Sequence, residues 1–290
     1  MENPSESFDS ILLKVFGGNI FLKKYTLIAA GHANQALCLR TSWGSFFLKI
    51  NQETDENLFR EEALGLKLLA ENTSLFVPEV YGFGQVDGIN YLVTEWVREG
   101  VRSKDYWRVL GEGLAELHMA TQVGFGLDHP NYISILPQPN EMHRDWTSFF
   151  IDERLEPMLQ RAYFHQLITK EVLQKVRAIY PFLEGFFPSE KSSLLHGDLW
   201  TGNIMRTTRG EPVLIDPAVY YGHREMDLAF SRLFGGFSDE FYETYNDIFP
   251  LEPGFEERKD VYNLYPLLVH LNLFGTGYLP GILRVIERFY

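Results

Sequence analysis

Between His196 and Asp216 the chain spaces polar residues in a pattern that few folds can hold together. The run His196-Gly197-Asp198-Leu199-Trp200-Thr201-Gly202-Asn203 is followed by a short apolar strand ending in Leu214-Ile215-Asp216. The spacing H-x-D-x-x-x-x-N, completed by a strand-borne second Asp, is that of a phosphoryl-transfer catalytic loop. The chemistry accounts for the residue types. A hydroxyl nucleophile needs a carboxylate to orient it and accept its proton, which fits Asp198. Mg²⁺ prefers hard oxygen ligands, and the Asn203 amide oxygen with the Asp216 carboxylate supplies them beside phosphate oxygens. A lone H-x-D reads more simply as a hairpin whose Asp satisfies turn backbone. The Asn and the second Asp at these distances favour catalysis.

Around this loop the chain divides by periodicity. Segments 19–30, 35–41 and 45–50 are rich in β-branched and aromatic residues, with turn signals at Gly31-His32 and Ser42-Trp43-Gly44. One helix follows, with Thr54 as its cap and Leu58, Ala63, Leu66 and Leu69 along one face up to Glu71. Two more strands are expected near 79–86 and 89–96. After Arg98-Glu99-Gly100 the character changes. Trp107, Leu110, Leu114 and Leu117 recur at helical spacing within 104–122, and helical patterns cover 145–162, 169–187, 225–234 and most of 239–290. The β-rich insert 194–215 interrupts them. The pattern predicts an α+β chain: a small β-rich lobe with one main helix (1–97), a connector near 96–103, and a larger, mostly helical lobe (98–290). A cleft between such lobes is a common place for a ligand.

The small lobe holds partners for the loop. Lys49 sits in the apolar strand Phe46-Phe47-Leu48-Lys49-Ile50, and Glu62 lies on the lobe's helix in Phe59-Arg60-Glu61-Glu62-Ala63. Singly, each reads as a solvated charge at a strand end or on a helix face. Together they match the strand-lysine and helix-glutamate pair that steadies nucleotide phosphates in kinases. The turn Ala30-Gly31-His32-Ala33-Asn34-Gln35 offers one glycine, Gly31, where a protein kinase would carry G-x-G-x-x-G.

Charge bounds the partners. With 26 Lys+Arg against 39 Asp+Glu the net charge is -13, which repels nucleic acid and anionic lipid and favours cationic ligands. A phosphorylated ligand therefore needs locally supplied positive potential, and Lys49 with Mg²⁺ provides it. The single cysteine, Cys38, has no partner within the chain, which suits a reducing cytoplasm. Burial in its strand is the default reading for that thiol. Met1 to Ser10 is polar and acidic, unlike a secretory signal, and no apolar run is long enough for a membrane span.

The string HGDLWTGN, with Asp216-Pro217-Ala218-Val219-Tyr220-Tyr221-Gly222-His223-Arg224-Glu225-Met226-Asp227-Leu228-Ala229, closely resembles the fructosamine kinase family. That family, also called the ketosamine-3-kinases, is related to the aminoglycoside and choline phosphotransferases. Phe46 to Asn51, Phe59 to Leu66, Thr94-Glu95-Trp96-Val97, Phe125-Gly126-Leu127, Gln138-Pro139-Asn140 and Trp146 to Phe150 extend the likeness from about Asn19 to the C-terminus. The resemblance implies a two-lobed, protein-kinase-like fold using ATP and Mg²⁺. It makes Asp198 the catalytic base, Asn203 and Asp216 the metal ligands, and Lys49, paired with Glu62, the α- and β-phosphate contact. The backbone of Glu95, Trp96 and Val97 would read the adenine edge, with Gly31 in the nucleotide turn. Asp227 would accept backbone N–H groups of the catalytic loop, with His196 in a similar supporting role. Trp200 is a candidate for stacking on a sugar face, with packing as the competing reading. Tyr220, Tyr221, His223 and Arg224 either border the acceptor site or form a structured segment. His118 reads as core.

The implied reaction phosphorylates the 3-hydroxyl of a ketosamine, the adduct of a sugar with a free or protein-bound amine. Its unstable product frees the amine, so the family is linked to deglycation. Asp128, Glu141, Asp145, Asp152, Glu153 and Glu156 are expected near the acceptor side, where a cationic amine would bind, although most suit solvated helix faces equally well. Two alternatives stand beside this reading: a phosphotransferase of the same fold acting on an aminoglycoside or choline-like acceptor, and an inactive nucleotide-binding module. The second would predict loss of a catalytic residue, yet Lys49, Asp198, Asn203 and Asp216 are all present.

Overall fold

Strand alternation builds the first lobe around Lys49. In the computed structural model, which describes residues 4–30, 34–52, 55 and 57–290, an antiparallel sheet forms from β1 (Leu22–Ala30), β2 (Gln35–Thr41), β3 (Ser45–Asn51), β4 (Val80–Val86) and β5 (Ile89–Glu95) in the order β1-β2-β3-β5-β4. Side chains alternate between the faces of a strand. Phe46, Leu48 and Ile50 of β3 therefore join Leu37, Leu39, Tyr91 and Val93 in one apolar cluster, while Phe47 and Lys49 face the other way.

The first face is covered by α1 (Pro4–Phe16), which buries Phe8, Ile11 and Leu12 against it. These three side chains contribute roughly 5–9 kcal/mol of apolar transfer, enough to hold a helix of a length that is marginal alone. The sequence reading assigned no helix there. The other face takes α2 (Leu58–Asn72), whose Phe59, Ala63 and Leu66 pack on Leu92. The helix starts later than expected, with Asn57 at its N-cap and no side-chain cap bond. Thr54 lies outside the described residues.

The larger lobe is mainly helical: α3 (Tyr106–Met119), α4 (Trp146–Phe149), α5 (Glu156–Phe164), α6 (Lys170–Ala178), α7 (Tyr180–Leu183), α8 (Glu225–Leu233), α9 (Asp239–Ile248), α10 (Phe255–Tyr262), α11 (Leu264–Phe274) and α12 (Leu279–Ile286). Most share one apolar core that includes Leu110, Leu114, Phe149, Phe150, Tyr262 and Leu268. The expected helix over 145–162 is widened into a π-helical stretch at Phe150–Leu155. That over 169–187 splits into α6 and α7, where Pro181 has no N–H to continue the ladder. The short hairpin β6 (Asn131–Ile133) and β7 (Leu136–Gln138) was not anticipated. No helix among the described residues is long and apolar enough to cross a membrane.

Two small ribbons lie where the lobes meet. β8 (Ser193–Leu195) pairs with β11 (Tyr220–Gly222), and β9 (Ile204–Arg206) pairs with β10 (Pro212–Leu214), both antiparallel. The chain runs β8, loop 196–203, β9, β10, segment 215–219, β11. The loop and the segment are therefore held face to face.

Candidate active site

The ribbon pairing sets the site. Ala218 N–H donates to the His196 carbonyl at 2.9 Å and Ile215 N–H to the Asn203 carbonyl at 3.1 Å, so Asp198 and Asp216 approach from opposite strands. Gly197 is where the two come closest. Its φ is +81°, and a Cβ there would lie 1.9 Å from the Ala218 carbonyl oxygen, so the position requires glycine. Asp216 is held at φ +52°, the left-handed region that few side chains adopt.

Lys49 reaches across the cleft. Its Nζ lies 2.6 Å from Asp216 Oδ1 and 2.8 Å from Glu62 Oε1, joining sheet, helix and loop segment. Burial disfavours its charge, but Asp216 and then Glu62 overcome this and raise the ammonium pKa above its ordinary value. Asn203 Nδ2 donates to the Asp198 carbonyl at 2.9 Å and to Asp198 Oδ2 at 2.7 Å, which fixes the carboxylate and leaves the Asn203 amide oxygen for another partner. Burial pushes the Asp198 carboxyl up to about 7. The Asn203 hydrogen bond opposes the rise, and the charges of Asp216 and Asp227 add to it.

Supporting contacts come from the larger lobe. Asp227 at the start of α8 accepts the N–H groups of His196 at 2.7 Å and Gly197 at 3.0 Å. Its Oδ2 also lies 3.2 Å from Nε2 of the buried His118, whose Nδ1 is 2.8 Å from the Tyr245 hydroxyl. The His196 ring is buried, which lowers its pKa. Nε2 faces the Ile215 carbonyl at 3.0 Å, and Nδ1 accepts the Asp198 N–H at 3.3 Å. A neutral ring protonated on Nε2 satisfies both, tying the loop to the segment that carries Asp216.

Two cavities meet at Lys49, Glu62 and Asp216. One, of about 370 Å³, is mostly apolar and runs past Ala36, Leu66 and Thr94 to Glu95, Trp96 and Val97. The other, of about 250 Å³, is the more polar of the two, with apolar walls from Leu58, Val269 and Phe274, and brings Asp198, Asn203 and Trp200 together with Glu61, Asn131, Tyr132 and His270. Every site residue named from sequence in the loop, strand and helix borders one of the cavities or supports the loop. Gly31 lies outside the described residues.

The structure separates the residues considered for the acceptor side. None of Asp128, Glu141, Asp145, Asp152, Glu153 and Glu156 lines the polar cavity. Asp145 caps α4, Glu153 takes the Glu141 N–H, and Glu156 holds Arg177 and Tyr180. Tyr220, His223 and Arg224 are buried structure: His223 faces the Tyr262 hydroxyl at 2.7 Å and Arg224 pairs with Glu190 at 2.6 Å. Glu61, next to Glu62 on α2, is buried and lines the cavity. The Gln138-Pro139-Asn140 run also has its cause. Gln138, Asn131, Asn140 and the buried Arg154 form a hydrogen-bonded network that holds the carbonyls of Ala218 and Val219 behind the site. Cys38 is buried in β2.

Comparison with known proteins agrees with this geometry. A family model described as fructosamine kinase matches residues 5–290. A chloroplastic protein-ribulosamine 3-kinase of rice (Oryza sativa subsp. indica) is 38% identical over 268 residues, covering 90% of this chain and 77% of that protein. The crystal structure of a protein assigned as a fructosamine-3-kinase from Haemophilus somnus 129PT superposes with a TM-score of 0.88 at 31% identity, over 98% of this chain and 96% of that one. An aminoglycoside phosphotransferase solved with AMP-PNP and hygromycin B shares the two-lobed, protein-kinase-like fold, with a TM-score of 0.66 at 16% identity over 97% and 96% of the two chains.

Proposed function

The chain belongs to the fructosamine kinase family, and from that premise we propose how its cleft is divided between two substrates. The protein is an ATP-dependent kinase acting on a hydroxyl of a ketosamine. The observation that carries the finer reading is the convergence at Lys49, where an apolar cavity and a polar one share Lys49, Glu62 and Asp216.

Adenine fits the apolar cavity, against Ala36 and Leu66, with its edge toward the backbone of Glu95, Trp96 and Val97. Lys49, oriented by Glu62, then meets the α- and β-phosphates. The donor set fits a magnesium ion: the Asn203 amide oxygen is left over from its hydrogen bonds, and Asp216 gives only Oδ1 to Lys49. Two protein oxygens leave most of an octahedral shell to phosphate oxygens and water, so the ion would be held jointly with the nucleotide. Bound there, Mg²⁺ supplies charge neutralisation at the phosphates.

The acceptor occupies the polar cavity with its 3-hydroxyl at Asp198. As the oxygen–phosphorus bond forms and ADP leaves, the hydroxyl proton passes to the carboxylate. His196 and Asp227 keep the loop in shape, and Trp200, 37% exposed at the cavity wall, offers an apolar face to the sugar. Residues 1–97 serve as the nucleotide lobe and 98–290 as the catalytic and acceptor lobe. The acceptor is a ribulosamine or fructosamine, free or protein-bound, and the reaction serves deglycation. The lone buried thiol, Cys38, is in keeping with a reducing cytoplasm.

The test is ADP release from Mg-ATP with a ribulosamine, a fructosamine, an aminoglycoside and choline offered in parallel. Turnover of a ketosamine above the others is expected. Turnover restricted to the aminoglycoside or choline would refute the assignment.

A further inference from the structure

A ketosamine carries its nitrogen on C1 and the reacting hydroxyl on C3 of one sugar, so whatever binds the nitrogen must share a cavity with the base. At neutral pH that nitrogen is an ammonium. The polar cavity sets four carboxylates, Glu61, Glu62, Asp198 and Asp216, against one lysine. Three of the four have partners that fix them: Glu62 and Asp216 share Lys49, and Asp198 accepts from Asn203.

Glu61 differs. The residue is only 9% exposed, and among the described residues no lysine or arginine nitrogen lies within hydrogen-bond distance of its carboxylate. Its one close basic neighbour is His129, whose Nε2 stands 3.0 Å from Oε2, within ion-pair distance, while the other ring nitrogen faces Asp128. Arg60, largely exposed, stands 3.8 Å from Oε1. An imidazole shared between two carboxylates leaves Glu61 short of positive charge, which a cation in the cavity would supply. Tyr132 and Trp200 add aromatic faces to the same cavity, the other common partner of an alkylammonium.

We propose that Glu61 reads the charged amine of the acceptor. The assignment rests on the ketosamine reading above and deepens it. Glu61 selects acceptors whose nitrogen is basic, while Asp198 serves the hydroxyl. Because the two carboxylates come from α2 and the catalytic loop, a bound acceptor bridges the lobes.

The test compares two acceptors, a ketosamine with a basic secondary amine and the same sugar with that nitrogen acylated and therefore neutral. The readout is the ratio of their kcat/KM values. In the wild type the amine is expected to be favoured. Glu61→Gln should lower the ratio by about 10- to 100-fold, the range of a charge-assisted hydrogen bond, and chiefly through the KM of the amine. Glu61→Asp, which keeps the charge, should restore part of it. An equal loss on both acceptors in Glu61→Gln would overturn the assignment and leave the ketosamine reading standing. A wild-type ratio near one would overturn it without any variant. Failure of the wild type to turn over either acceptor would overturn the ketosamine reading, and this inference with it.

Discussion

Replacing Asp198 by Asn should make the metal-free protein more stable while nearly abolishing its activity. The two side chains have almost the same shape, and the Asn203 amide can still donate to the new carbonyl. What changes is the buried charge. In the folded protein the Asp198 carboxyl is raised from 3.8 to about 7 by burial first, with Asp216 and Asp227 adding to it. Between those pH values the folded state holds a proton that the unfolded state has lost, so wild-type stability falls as pH rises through this window. The shift corresponds to roughly 4 kcal/mol as an upper limit. Asp198 is half-buried rather than sealed, so water offsets part of this and about 2 kcal/mol is the working figure. Urea or thermal unfolding of both proteins in EDTA at pH 4.5, 6 and 8 would measure it. The curves should nearly meet at pH 4.5 and separate to about 2 kcal/mol in favour of the variant at pH 8, a melting difference of roughly 3 °C. With Mg-ATP and acceptor, kcat should fall by about 10²–10⁴. A stability difference independent of pH would refute the reasoning, because the desolvated charge would then not be its source.

Other consequences follow from the same geometry. Lys49→Met leaves Glu62 and Asp216 facing each other without their shared cation. It should raise KM for Mg-ATP at least tenfold and cost about 3 kcal/mol of stability, measured by initial rates and urea unfolding. Gly197→Ala places a methyl against the Ala218 carbonyl at a positive φ. It should lower kcat and stability together, the latter by more than about 2 kcal/mol, as read from a melting curve and a single-turnover assay. Ala36→Phe inserts a ring into the apolar cavity. KM for Mg-ATP should then rise roughly tenfold or more, with a smaller change for the acceptor, as read from a two-substrate initial-rate matrix.

The loop and its partners were legible in the sequence because their chemistry constrains spacing. In the proposed reaction Asp198 must face the acceptor hydroxyl while Asn203 and Asp216 hold a metal beside the phosphates, and a strand lysine needs a helix glutamate in register with it. The strand alternation that turns Lys49 toward the cleft was equally visible. The acceptor wall was not. Asp145 and Glu156 look like Glu61 in composition, and only tertiary packing sends the first two to a cap and an ion pair and the third into the cavity. Helix α1 is hidden by its polar first turn, although Phe8, Ile11, Leu12 and Val15 recur at helical spacing. The split at Pro181 and the hairpin β6–β7 lie below what periodicity resolves. Arg154 shows the same limit: a buried arginine held by Asn140 and the Pro139 carbonyl reads, in sequence, as an ordinary surface charge.

The most direct measurement is the position of the phosphate on the product. Wild-type protein, Mg-ATP and a ketosamine substrate would be followed by two-dimensional ³¹P–¹H NMR, with Asp198→Asn run alongside. The account predicts a single phosphate coupled to the proton on C3, formed at a rate that collapses in the variant. A phosphate at any other hydroxyl, or a 3-phosphate formed as fast by Asp198→Asn, would contradict it.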